Sequence, residues 1–202
     1  VNVNNIIIQE ENNMKKIIAA TGNKGKVKEI KEIFSEYEIV SLKEAGISVD
    51  VEEDADTFEG NAIKKAEAIA KASGAFCLAD DSGIMINSLN GFPGVKTARW
   101  MNGTDREKNL GIIEKLKGMP KEKRVVHCVC AIALAGPNFP TVVEKHVIDG
   151  YITEAPRGEN GFGFDEIFEL ENGKTLAELT DEEKNEISAR RKALDKAKKH
   201  LA

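Results

Sequence analysis

Short buried strands alternate with amphipathic helices through the first half of the chain, and two long strands then arrive together. This order constrains the fold more than any other feature. Lys16 to Ala20 reads as a short buried strand closed by Thr21-Gly22-Asn23. A helix is predicted next, because Val27, Ile30, Ile33-Phe34 and Tyr37 recur at helical spacing with charged residues between them. Glu38 to Leu42 reads as a second strand and Val49 to Ala55 as an acidic loop. Phe58, Ala62, Ala66 and Ile69-Ala70 form the stripe of a second helix that stops at Ser73-Gly74. Ala75 to Ala79 is a third buried strand running into Asp80-Asp81-Ser82-Gly83, and turn residues crowd Asn87 to Gly94. Thr104 with Glu107 makes a capping box for a helix reaching Lys117. Val125 to Leu134 is then a central strand, with Thr141 to Ile152 as its neighbour and Pro156 to Gly163 as a glycine-rich loop. Thr180 with Glu183 opens a last helix running through Leu194 to Leu201. Interleaved elements followed by two successive long strands predict an α/β fold with a mixed central sheet flanked by helices, not a purely doubly wound one. No repeat or linker divides the chain. Residues 1–13 read as a disordered or extraneous tail, and 14–202 as one domain.

Composition narrows the function classes. The net charge of −5 argues against a general nucleic-acid coat, which needs a basic face, but leaves room for a local anion site. No apolar run approaches the ~20 residues needed to cross a bilayer, so no membrane partner is expected. Cys77, Cys128 and Cys130 cannot pair completely and sit in apolar runs, which suits buried, reduced thiols in the cytoplasm. With no further Cys or clustered His, a zinc site is not expected.

Four constellations carry chemistry. Thr21-Gly22-Asn23-Lys24-Gly25-Lys26 lies between a strand and a helix, where backbone N–H groups, the helix N-terminus and two lysines suit an anion. It matches neither the Walker loop nor the dinucleotide fingerprint, and an ordinary βα turn reads equally well. Asp80-Asp81-Ser82-Gly83 closes an apolar strand, either as a plain turn or as a Mg²⁺ site of the kind found at strand ends in open α/β sheets. Adjacent side chains on a strand point oppositely, so one carboxylate suffices. Glu52-Glu53-Asp54 would by default be a solvated loop, yet it offers a second carboxylate; Asn61 and Lys65 share one helix face beside it. Finally, Gly161-Phe162-Gly163-Phe164-Asp165 presents aromatic rings a base can stack on, with Lys184 and Arg190 on the last helix. Taken singly, these read as a core aromatic in a turn and as surface charges.

Together the segments ATGNKGKVKEI, TFEGNAIKKA, LADDSG, NGFPGVKTARW, FGFDEIF and ELTDEEKNEISARRKAL resemble the inosine triphosphate pyrophosphatase family, over essentially the whole chain from Met14. The resemblance implies Mg²⁺-dependent hydrolysis of ITP, dITP and XTP to the monophosphate and pyrophosphate. It also implies an elongated two-lobed fold around a cleft, usually as a homodimer. Thr21, Gly22, Asn23, Lys24, Gly25 and Lys26 would then hold the triphosphate. Asp81 would be proton acceptor and metal ligand, Ser82 and Asn61 substrate contacts, Glu53 a second metal ligand, and Lys26 and Lys65 catalytic lysines. Phe162, Gly163, Phe164, Asp165, Lys184, Ala189 and Arg190 would form the base pocket. In the implied mechanism Asp81, or less favourably Asp80, orients the attacking water. The family usually reads Ser-His-Arg where this chain has Ser188-Ala189-Arg190, which puts base discrimination in question more than hydrolysis. A regulatory nucleotide-binding module without turnover, or a pyrophosphatase for another modified nucleotide, would also use these parts.

Overall fold

The computed structural model describes residues 15–201, so the tail expected over residues 1–13 lies outside them. Seven strands form one mixed sheet in the order β2-β1-β3-β5-β6-β7, with β4 pairing β3. The strands are β1 (Lys16–Ala19), β2 (Glu38–Ser41), β3 (Phe76–Ile86), β4 (Phe92–Pro93), β5 (Val125–Gly136), β6 (Phe139–Ile152) and β7 (Phe168–Glu169). β1 runs parallel to both β2 and β3, and the remaining pairs are antiparallel. The mixed sheet read from the element order is the sheet observed. Five α-helices cover it: α1 (Lys24–Ile33), α2 (Phe58–Ser73), α3 (Asp105–Lys115), α4 (Asp181–Ile187) and α5 (Ala189–Lys198). No helix among the described residues is long and apolar enough to cross a membrane.

The period-2 alternation of the strands divides the core in two. Ile18, Ala20, Cys77, Ala79, Val129, Ala131, Ala133 and Ala135 face α2, which meets them with Phe58, Ala62, Ala66 and Ile69. Small side chains on both surfaces let this helix lie close on the sheet. Their neighbours Ile17, Ala19, Leu78, Cys128, Cys130, Ile132 and Leu134 face the other side, against Ile30, Ile33 and Phe34 and against Ala193 and Leu194 of α5. The three cysteines are buried and unpaired, as expected. Helix α2 stops at Gly74 in the left-handed region, as its sequence predicts, and its start is capped by Thr57, which accepts from the Gly60 N–H at 3.0 Å. The capping boxes at Thr104 and Thr180 are both present.

Two expectations change. Asp80-Asp81-Ser82-Gly83 does not close a strand; β3 continues through it to Ile86, paired residue for residue with β5 from Cys77 opposite Ala135 to Ile86 opposite Val126. The long partner strand supplies ladder bonds that no local pattern around D-S-G announces. The last helix is also broken. Ser188 adopts φ −53°, ψ 127°, ending α4 and capping α5 through its side chain, which accepts from the Arg191 N–H at 3.3 Å. The serine competes for the backbone and starts a second helix inside a run of good helix formers.

Candidate active site

β3 gains and loses partners along its length, and the site grows from that. On one edge β1 ends with the Ala20 N–H donating to Leu78 O at 2.8 Å, and β4 begins only opposite Met85. Between them the β3 edge has no strand beside it, so side chains satisfy its backbone, as buried peptide groups require. The Lys65 ammonium donates to Asp80 O at 2.7 Å, Asp81 Oδ1 accepts from the Ser82 N–H at 3.1 Å, and Thr97 Oγ1 accepts from the Ile84 N–H at 2.9 Å.

Asp80 and Asp81 leave this strand on opposite faces and enter opposite electrostatic environments. Asp80 is 2% exposed and ion-paired to Lys26 at 2.6 Å, with Arg190 Nε at 3.6 Å. Burial pushes its carboxyl up, but Lys26 and Arg190 outweigh burial and hold it at about 2. Asp80 is thus held in its ionised form by its two cations. Asp81 has hydrogen-bond donors but no ion-pair partner among the described residues; Asn61 Nδ2 donates to its Oδ2 at 3.0 Å. Burial drives its carboxyl up, Asn61 and Lys65 counter this only in part, and Glu53 and Asp80 add to the rise. Asn61 is itself fully buried and accepts from the Ala55 N–H at 2.9 Å, tying the acidic loop to α2.

Glu53 sits on the Asp81 side. Its carboxylate pairs with Lys65 at 2.5 Å and Arg99 at 2.6 Å, and Arg99 also donates to Glu53 O at 2.7 Å. Burial alone would raise the Glu53 carboxyl, but the two cations hold it below its ordinary value. The acidic loop is thus anchored at the site, not simply solvated.

On the Asp80 side a cavity of about 330 Å³ opens, and it gathers Asn23, Lys26, Ser82, Phe162, Gly163, Phe164, Asp165, Lys184, Ala189 and Arg190 from the sequence-predicted set. Asn23 caps α1, accepting from the Lys26 N–H at 3.1 Å, and Thr21 Oγ1 accepts from the Asn23 N–H at 3.2 Å. Phe162 lies close against Gly25, under Lys184 (4.8 Å from Nζ to the ring centroid) and Arg190 (5.5 Å from Cζ). Lys184 pairs with buried Asp165 at 2.6 Å. Arg190 reaches Glu29 at 2.9 Å and Ser82 Oγ at 3.2 Å. Phe164 turns toward the core, 6.3 Å from Phe168 between ring centroids. Gly22 has open space in front of it, and Lys24 is exposed at the start of α1, outside the cavity lining. The five cations of these segments are divided: Lys26, Lys184 and Arg190 share the cavity, while Lys65 works on the opposite face of β3 and Lys24 stands outside.

A profile of the Ham1 family matches residues 17–200. The chain belongs to the Ham1 family. It is 49% identical over 194 residues to the dITP/XTP pyrophosphatase of Bacillus subtilis, covering 93% of this chain and 98% of that one. It is 46% identical over 189 residues to the protein of the same name from Geobacillus kaustophilus, covering 91% and 92%. The solved structure of the Staphylococcus aureus Ham1 protein superposes with a TM-score of 0.85 at 39% identity, covering 93% of this chain and 98% of that one.

In this Ham1 chain the residues suited to a divalent cation are Asp81 and Glu53, hard oxygen donors facing one side of β3. No group of three or more His, Cys, Asp or Glu side chains converges among the described residues. Both Glu53 oxygens are engaged by Lys65 and Arg99, so a small ion that fills its other positions with phosphate oxygens and water would draw on Asp81 first. Asp81, buried without a cationic partner, is the better placed of the two. Several site residues escaped the sequence reading. Arg99 and Trp100 lay inside the quoted NGFPGVKTARW stretch without a role, and Asp105 and Asn109 lay on a helix recognised only by its capping box.

Proposed function

We propose that this Ham1 protein hydrolyses the non-canonical purine nucleoside triphosphates ITP, dITP and XTP to the monophosphate and pyrophosphate, with Mg²⁺ as cofactor. One observation carries the reading: two consecutive carboxylates on β3, one neutralised by Lys26 and Arg190 and the other buried without a counter-ion, beside a cavity edged by an aromatic ring and cations. The names of the relatives agree with it.

Mg²⁺ held by Asp81 and Glu53 supplies charge neutralisation on the polyphosphate when bound. Asp81, with its affinity for a proton raised by burial, accepts the proton of the water that attacks the α-phosphorus. Lys65 anchors the Glu53 carboxylate and the Asp80 carbonyl from α2 and meets the charge on departing pyrophosphate. Lys26 and the turn from Thr21 to Gly25 hold the triphosphate at the α1 N-terminus. Phe162 stacks on the purine, while Lys184, Arg190 and Ser82 line its edge and sugar. Discrimination requires a donor toward the 6-oxo group, which an adenine amino group cannot satisfy.

The protein is further inferred to work in the cytoplasm as a homodimer, without nucleic-acid or membrane partners. Three unpaired buried thiols suit a reducing compartment. Met85 and Val147, exposed beside a groove lined by Phe92, Pro93 and Val95, offer an apolar face for a second copy. Light scattering coupled to gel filtration measures the oligomeric state. The test of the activity is pyrophosphate release from ITP, dITP, XTP, GTP and ATP with Mg²⁺, for the wild type and Asp81→Asn. Turnover of the first three with little of the last two is expected. No release from any substrate overturns the enzyme reading, and an unimpaired D81N protein overturns the role of Asp81.

A further inference from the structure

The aromatic loop of the cavity is held by a helix that contributes no side chain to the chemistry derived above. Gly161 (φ +78°) and Gly163 (φ +66°) flank Phe162 in the left-handed region, so the loop's path depends on residues with high intrinsic freedom. Three side chains remove that freedom. Asp165 Oδ2 accepts from the Phe162 N–H at 2.8 Å. Asp105 Oδ2, in the first turn of α3, accepts from the Gly163 N–H at 3.0 Å. Asn109, one turn further along, donates from Nδ2 to Gly163 O at 2.8 Å and to Glu166 Oε1 at 2.9 Å. Glu166 is held in turn by Arg106 at 2.6 Å. Both backbone groups of Gly163 are thus taken by α3, and Asn109 is 3% exposed.

We propose that Asp105 and Asn109 are positioning residues for purine recognition: by clamping Gly163 they pre-set Phe162 under Lys184 and Arg190, so the base meets an ordered ring. The inference rests on the reading of the cavity as a purine pocket. A loop ordered before binding spares the ligand the entropy of ordering it, and this gain is the same for bound substrate and transition state. Loss of the clamp therefore raises KM and leaves kcat nearly unchanged. The phosphate end, built on α1, β3 and Lys65, does not touch the clamp.

The test compares wild type, Asn109→Ala, Asn109→Leu and Asp105→Ala by ITP turnover and by inhibition with two probes, inosine monophosphate and inorganic tripolyphosphate. Loss of these hydrogen bonds, part-buried at Asn109 and exposed at Asp105, predicts a rise of about three- to tenfold in the inhibition constant of inosine monophosphate and in KM for ITP. Tripolyphosphate inhibition and kcat should stay within about twofold. A merely structural role would move both probes together or only lower the melting temperature; either result, or unchanged inosine monophosphate inhibition, overturns the inference. Asp105 is exposed, so D105A decides the matter if the Asn109 variants do not fold. A wild type that turns over no nucleotide overturns the functional reading and this inference with it. Normal wild-type turnover with unshifted variants overturns this inference alone.

Discussion

Replacing Asp80 with Asn should unmask the electrostatics of the site. The substitution keeps the shape of the side chain but removes a buried charge that Lys26 contacts at 2.6 Å and Arg190 approaches at 3.6 Å. Holding the carboxyl at about 2, against an ordinary 3.8, corresponds to on the order of 2 kcal/mol of folded-state preference for the ionised form. Arg190 and Lys26, 11% and 19% exposed, would then lack their main counter-charge, and breaking a buried pair costs roughly 3–5 kcal/mol. A loss of roughly 2–4 kcal/mol, or about 5–15 °C in Tm, is expected at pH 7. The pH dependence has a definite sign. A depressed carboxyl contributes stability that is complete above about 4 and is lost as pH falls through about 2, so the gap between wild type and D80N should narrow over that window. Urea denaturation of both proteins from pH 7 to pH 2.5 measures it. Tripolyphosphate, which replaces the missing negative charge, should raise the Tm of D80N more than that of the wild type. Equal stability at pH 7, or a gap that persists undiminished at pH 2.5, would refute the reasoning.

Asp81→Asn should cut ITP hydrolysis by at least ~100-fold while raising Tm, because it removes a buried carboxylate with no ion-pair partner; steady-state kinetics and calorimetry on one preparation test both. Lys65→Met, which strips Glu53 of one cation and leaves Asp80 O without its donor, should lower kcat by roughly 100-fold. Gly111→Ala drives a Cβ to 2.8 Å from the Trp100 ring and should cost about 1–3 kcal/mol, with a shift in the emission of the chain's single tryptophan. Ala189→His, placed at the cavity wall beside Arg190, should sharpen the preference for ITP over GTP in pyrophosphate-release assays; an unchanged ratio removes the significance given to the alanine.

Periodicity carried the mixed sheet and its helices because the code for a buried face is local: Ile17 and Ile18, or Ala62 and Ala66, declare their faces by spacing. Capping at Thr104 and Thr180 is legible for the same reason. What escaped is non-local. That β3 runs through Asp80–Gly83 depends on β5, some fifty residues away, and Lys26 meets Asp80 across 54 positions. Arg99 finds Glu53 over 46 and Asn109 finds Gly163 over 54, and neither spacing leaves a trace in either segment. The break at Ser188 had a faint signal, a serine at a capping position inside a helical run, which the charged helix formers around it outweighed.

The alternation of Asp80 and Asp81 across β3 also sets an evolutionary and engineering limit. A strand reverses its faces with every residue, so one residue inserted or deleted between Leu78 and Asp80 would send Asp80 toward α2 and Asp81, the proposed proton acceptor, into the cavity. With a neutral residue the charge of the chain would be unchanged and Asp80-Asp81-Ser82-Gly83 intact, yet both environments would hold the wrong carboxylate. A substitution here alters one environment, whereas a length change exchanges both, and the same arithmetic forbids slippage of the β3–β5 register over these ladder positions.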